Sequence, residues 1–346
     1  MKNIYMDQAW GIQKPNIGKE PTKPEKLFIK LDDQVRKLLD ISKHEFLSFS
    51  QNATTSLIYS LLPILEQDDY KIYIDSQEIR WVAEMFEKGK LPTNECTYPN
   101  YAKLEKVPFL KKPFNIFDPK DLINDPKKTI GRKPCIIIFS HISRVTGETF
   151  ASQKLYSAIK MLNKENIVVV DGCQAVGATL TKPNRLSDIY VGVTSKFIGA
   201  EPHIGFAWIK KEIVKRFNIK PWRIRPTIFS KEIYSAVRAL NKLEINPRRT
   251  LIARKAFERY LRVNNVEFFK GINQAAHILI VLTRKSLKKT IQTIKTKGYT
   301  VSPNTGWSIK EPYIKGVRIS LTPRTPINQL KIFANVLGSM KKSGLL

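Results

Sequence analysis

The feature that most constrains this chain is a set of short apolar runs separated by helix-length segments in its middle third. CIIIFS (135–140) and IVVVD (167–171) are apolar along nearly their whole length instead of alternating. That is the pattern of strands covered on both faces. DIYVGVT (188–194) and IGFAWIKK (204–211) follow, and the spacing predicts a helix over about 151–163. Parallel strands need crossover connections, and covered strands need helices on both sides. The middle of the chain therefore predicts an α/β fold with a mostly parallel sheet between helices.

The flanks extend this reading. FLSFS (46–50), a helix over about 54–66, KIYID (71–75) and a helix beginning near 77 continue the alternation, after a first helix around 30–42. Residues 1–26, rich in Pro, Lys and Gly, read as an irregular arm, and 88–130 as loops with one short strand. The stretch 216–230, with Pro221 and Pro226, reads as a connector before helices over 230–242 and 247–263. HILIVLT (277–283), a helix over 285–297, YTVSP (299–303), GVRISL (316–321) and a closing helix over 326–342 make a small α+β unit. The expected organisation is an arm (1–26), a large domain (27–235) and a small C-terminal domain (236–346), which 346 residues can accommodate.

Composition narrows the class. Fifty-nine Lys and Arg against 30 Asp and Glu leave a net charge of +29. Such a charge suits a polyanionic partner, a nucleic acid or an acidic protein. Here it is spread along the whole chain, and RNA-reading motifs with interleaved aromatics are absent, so a compositional bias toward lysine is the favoured reading. No run of about 18 apolar residues suggests a membrane span, and MKNIYMDQAWGIQKP lacks the apolar core of a signal peptide. Cys96, Cys135 and Cys173 show no paired spacing, and no two of the four histidines lie at metal-ligand spacing. A cytoplasmic protein without a metal site is expected.

Ligands of open α/β sheets sit at the carboxyl ends of the strands. Three such ends carry chemistry: Ser140-His141, Asp171, and the segment leading to Lys196. Taken singly, each has an ordinary explanation, since Asp171 can cap a turn and Lys196 can reach solvent along its stem. Taken together with QNATTSLIYSLL (51–62), IFSHISRVTGE (138–148), VVVDGCQAVGA (168–178) and GVRISL (316–321), they resemble the class V aminotransferase-like family. This is a branch of the fold-type I pyridoxal-phosphate enzymes that includes cysteine desulfurases and kynureninases. The likeness runs from MDQAW (6–10) to the closing helix, and its most specific piece is D-G-x-Q-x-x-G at 171–177.

The resemblance implies pyridoxal 5′-phosphate bound through a Schiff base on Lys196, with an amino acid as substrate. It implies that Asp171 pairs with the protonated ring nitrogen and that Gln174 meets the ring's phenolate oxygen. Ala53, Thr54 and Thr55, at a helix N-terminus, would hold the phosphate with Thr194 and Ser195. Thr227 would reach the phosphate of a neighbouring subunit, which makes a homodimer the expected assembly. Arg318 would clamp the substrate's α-carboxylate, with His141 and Arg144 beside it.

Several positions depart from the family. Ser195 stands where histidine usually precedes the lysine, FIGAEPHIGFAW (197–208) carries two extra residues, and Arg144 replaces a substrate-proximal asparagine. The ring-stacking residue should fall within Glu78-Ile79-Arg80-Trp81, with Ile79 or Trp81 as candidates. No cysteine follows Cys173, so a desulfurase would lack its persulfide-forming thiol. The expectation is an aminotransferase or a kynureninase-like or other lyase. The alternative is a nucleic-acid-associated or otherwise non-catalytic protein on a degenerate enzyme fold of this type.

Overall fold

The computed structural model describes residues 4–5, 23–67, 69–89, 111–305, 308–310 and 314–346. The chain opens with β1 (Ile4–Tyr5), and the large unit then contains α1 (Pro24–Leu39), β2 (Phe46–Ser50), α2 (Ala53–Gln67), β3 (Lys71–Asp75), α3 (Arg80–Lys88) and β4 (Phe114–Phe117). It continues through α4 (Pro119–Asn124), α5 (Pro126–Ile130), β5 (Cys135–Ser140), α6 (Gln153–Leu162), β6 (Ile167–Asp171), β7 (Ile189–Val193), β8 (Gly205–Ile209) and α7 (Lys211–Arg216). The remainder is α8 (Ser230–Asn241), α9 (Pro247–Val263), β9 (Ile278–Leu282), α10 (Leu287–Thr296), β10 (Tyr299–Thr300), β11 (Ser302–Pro303), β12 (Gly316–Ser320) and α11 (Ile327–Lys342).

Seven strands form the main sheet in the order β2-β8-β7-β6-β5-β3-β4. From β7 to β4 every pairing is parallel, and β8 runs antiparallel to both its neighbours. The period-2 alternation of side chains explains why the central strands read as continuous apolar runs. Ile137 and Phe139 join Val168, Val170 and the helices α1, α6 and α8 on one face. Ile136 and Ile138 join Val169, Val191 and the helices α2 and α3 on the other. Each such aliphatic side chain contributes about 1.5–3 kcal/mol on full burial, so both faces of one strand are held at once.

The smaller sheet is antiparallel, in the order β11-β12-β9. Its core joins Leu279, Val281, Val317 and Ile319 to α9 and α11, where Phe257 stacks on Phe333 with ring centroids 6.0 Å apart. Ile142, Ala175, Phe197, Ala275, Ile278 and Ile280 form a fourth cluster that joins the two units. The fold is thus the expected α/β arrangement with a second small sheet.

Four local readings need revision. Ile4–Tyr5, within the arm expected to be irregular, pairs in parallel with β10, and α1 begins at Pro24, also within that arm. Two short helices lie where only loops were expected, each opened by an Asp-Pro step: Asp118 accepts from the Lys120 N–H and Asp125 from the Lys128 N–H. α7 enters the first residue of the expected connector. Position 235/236 falls inside α8, and Val237 beyond it still packs in the core shared with Phe28 and Leu31. The MDQAW segment lies outside the described residues.

Candidate functional site

A cleft opens at the carboxyl ends of β3, β5, β6 and β7, between the main sheet and the N-terminus of α2. It encloses about 1080 Å³ of empty space, the solvent at its mouth included. One end is built by α2. Asn52 precedes the helix, and its side chain accepts the Thr55 N–H at 2.8 Å, which leaves the amides of Ala53 and Thr54 at the helix start facing the cleft. The first turn holds no acidic residue, so nothing there opposes an anion. Gly205, opposite Ser50 at the start of β8, lets this turn come close, since a Cβ there would sit 2.5 Å from Ala53 N.

The floor is acidic. Asp171 ends β6 in register with Ser140, and its Oδ1 accepts the Cys173 N–H at 2.7 Å, fixing the carboxylate across the turn. Glu78 is buried beside it. Its Oε2 accepts from Ser140 Oγ at 2.9 Å and its Oε1 from the Ile79 N–H at 2.8 Å. Burial, and then repulsion from Asp171 and Asp75, hold the Glu78 carboxyl well above the usual range. Burial likewise pushes Asp75 up to about 7. Gln174 lies on the same turn as Asp171, and its Oε1 is buried with no hydrogen-bond partner.

Lys196 follows β7 with φ of 54°, a left-handed conformation that costs a non-glycine residue roughly 1–2 kcal/mol. The surrounding turn holds it there: Thr194 N–H donates to Ile204 O, the Ile204 N–H to Thr194 Oγ1, and the Ala200 N–H to Thr194 O. Desolvation pulls the Lys196 amine below the ordinary lysine value. The neighbouring Cys173 works against this, and the guanidiniums of Arg144 and Arg318 add to it. A depressed pKa raises the neutral fraction, the form in which an amine is a nucleophile.

The arginines arrive from different units. Arg144, on the turn after β5, is buried and lines the cleft rather than facing solvent. Arg318 lies on the central strand of the small sheet and is only 1% exposed, so it is not a surface cation. One of its terminal nitrogens donates to Arg144 O at 3.3 Å.

Ala53, Thr54, Asp171, Gln174, Ser195, Lys196 and Arg144 therefore meet around one cavity. Thr55, Thr194, His141, Arg318 and Thr227 do not line it. Thr55 and Thr194 brace the walls, while Thr227 is exposed elsewhere. His141 is buried, in contact with the Tyr190 hydroxyl at 2.9 Å, and burial drops its pKa to about 4. Ile79 and Trp81 both line the cleft where a ring-stacking residue was sought. Sequence reasoning missed Asn52, Glu78 and His203. Asn52 carried a signal as a helix-capping asparagine, and Glu78 followed a strand end, whereas His203 sits in an insertion without one.

These features fit pyridoxal 5′-phosphate. They comprise a helix start without acidic residues and a glycine-made gap, an acid, an unpartnered Gln174 oxygen and a lysine of lowered pKa, all in one lining. Residues 112–244 match the family model for aminotransferase class-V, which bears out the class V aminotransferase-like resemblance. Solved structures share the fold at low identity. A NifS-like protein superposes with a TM-score of 0.72 at 14% identity, over 99% of this chain and 100% of that one. Ureidoglycine-glyoxylate aminotransferase from Bacillus subtilis gives 0.71 at 12%, over 100% and 94%. SPT with its PLP internal aldimine gives 0.66 at 13%, over 99% and 89%. No curated protein sequence matches the chain.

Proposed function

We propose that the chain is a pyridoxal-phosphate-dependent enzyme acting on an amino acid, with Lys196 as the residue that attaches the cofactor. The convergence of Lys196, Asp171, Gln174 and the α2 N-terminus on one cleft carries this reading. When bound, the cofactor supplies an electron sink for charge at the substrate α-carbon. The amides of Ala53 and Thr54 would hold its phosphate, with the Ser195 hydroxyl near by. Asp171, fixed by the Cys173 N–H, would keep the ring nitrogen protonated.

The Lys196 amine, once freed by substrate, is the base that takes the α-proton and returns it. Arg318 does not line the cleft but acts on the Lys196 amine from the small sheet, and it would be the α-carboxylate clamp that the resemblance implies. Arg144 would meet a second anion, which makes an amino acid with an acidic or phosphorylated side chain the favoured substrate. Cys173 also borders the cleft, but burial and the adjacent Asp171 hold its thiol well above the ordinary range. A protonated thiol is a poor nucleophile, which favours transamination or lysis over sulfur transfer.

The test is to incubate the protein with pyridoxal phosphate, reduce with borohydride and map the label by mass spectrometry. Label on Lys196 and its loss in Lys196→Ala, with the fold retained, are the expected results. A colourless wild-type protein that instead shifts RNA with steep salt dependence would overturn the reading.

A further inference from the structure

Two carboxyls line the cleft, Asp171 and Glu78, with Asp75 buried behind them, and this exceeds what one ring nitrogen needs. Asp171 alone accounts for the pairing with a cationic ring. Glu78 reaches the same floor from a different element, the turn between β3 and α3, and Ser140 bridges the two: it donates to Glu78 and lies in register with Asp171. The placement is enforced from behind. The Ile309 N–H donates to Glu78 O, the Lys310 N–H to Ser76 O, and Ile79 pairs with Ser308. The small unit thus clamps the turn that carries Glu78. Gln174 Oε1, buried and unpartnered in the same cavity, marks this end as built for a ligand.

We propose that Glu78 is a positioning residue that holds a proton beside Asp171 in the apoprotein and yields it to the ring nitrogen of the incoming cofactor. This rests on the pyridoxal-phosphate reading above. The physical reason is charge crowding. Asp75 and Asp171 face Glu78 from β3 and β6, Cys173 lies on the turn after β6, and the cations Lys196 and Arg144 also line the cleft. Ionising both Glu78 and Asp171 without a cation between them places two negative charges in a desolvated floor. One proton relieves this.

When the neutral ring nitrogen enters, the O–H bond of the acid pair breaks and an N–H bond forms. The electron pair stays on the carboxylate, and the floor then holds a cation against two anions. No proton is drawn from solvent. Burial and the facing carboxylates of Asp171 and Asp75 raise the Glu78 carboxyl, which accords with a proton kept there.

The experiment measures pyridoxal phosphate affinity of the apoprotein against pH, by absorbance titration, for the wild type and Glu78→Gln. Through the alkaline range in which free cofactor carries a neutral ring nitrogen, wild-type affinity should stay flat. That of Glu78→Gln should fall by about tenfold per pH unit, because the variant must recruit the missing proton from water. Parallel profiles would overturn the role of Glu78 alone. Failure of the wild type to bind at any pH would instead overturn the cofactor reading, and this proposal with it.

Should Glu78→Gln fail to fold, the wild type still decides. Binding heats measured in two buffers of different protonation enthalpy should show no net proton uptake in that range, and uptake of one proton would refute the proposal.

Discussion

Gly205→Ala tests whether the start of α2 is the anion-binding end of the cleft. Gly205 is the first residue of β8, paired to Ser50, and lies against the turn that starts α2. A Cβ there would meet Asn52 C and O and lie 2.5 Å from Ala53 N, all of them backbone atoms that no rotamer change can clear. Reaching the 3.4 Å of ordinary contact requires Ala53 N alone to retreat by about 0.9 Å. Overpacking of this kind typically costs about 1–3 kcal/mol, and a rigid backbone neighbour places it toward the upper end. The displaced amides would also miss the phosphate. A lost hydrogen bond to a charged group is worth about 1.5–3 kcal/mol, roughly 10- to 100-fold in affinity.

The assay pairs urea denaturation of the apoprotein with cofactor titration. Gly298→Ala is the control: it has φ of +84° but open space around the added carbon. It should lose roughly 1–2 kcal/mol of stability from backbone strain with affinity unchanged. Native cofactor affinity in Gly205→Ala would refute the placement of the phosphate.

Two further outcomes follow from the geometry. Because Arg144 helps to depress Lys196, and the lysine attacks as the neutral amine, attachment should quicken as pH rises through the lysine pKa. Arg144→Gln should move that midpoint upward and reduce turnover of acidic amino acids more than neutral ones; an unmoved midpoint with equal effects on both substrates would refute the pairing. Thr227 is exposed and does not line its own cleft, as a residue contributing to a second subunit would be. Sedimentation should therefore show a dimer, and a monomer that retains cofactor would refute it.

How much was legible in the sequence differs by element. The central strands were readable because being covered on both faces removes polar residues from both, and β2, β3, β5 and β6 carry the expected bounds. Asp171 and Lys196 were readable because strand ends deliver residues to one edge of a parallel sheet whatever the loops do. The Asp-Pro starts of α4 and α5 were also written in the chain, but were masked by the Lys and Pro content around them.

Other features depended on contacts distant in sequence. The pairing of Ile4–Tyr5 with β10 joins segments almost 300 residues apart, and no local pattern encodes it. The resemblance implied a substrate clamp at Arg318, but its burial came only from strands on both sides of it. Glu78 shows the limit most clearly. Its sequence neighbours identify only a polar turn after a strand. Its elevated pKa comes from burial and from Asp171, 93 positions away along the chain, brought beside it because β3, β5 and β6 lie side by side. The sequence alone determined which residues reach the sheet edge. Which of their charges share a desolvated space was decided by the tertiary structure, since electrostatic coupling depends on distance and dielectric rather than on chain order.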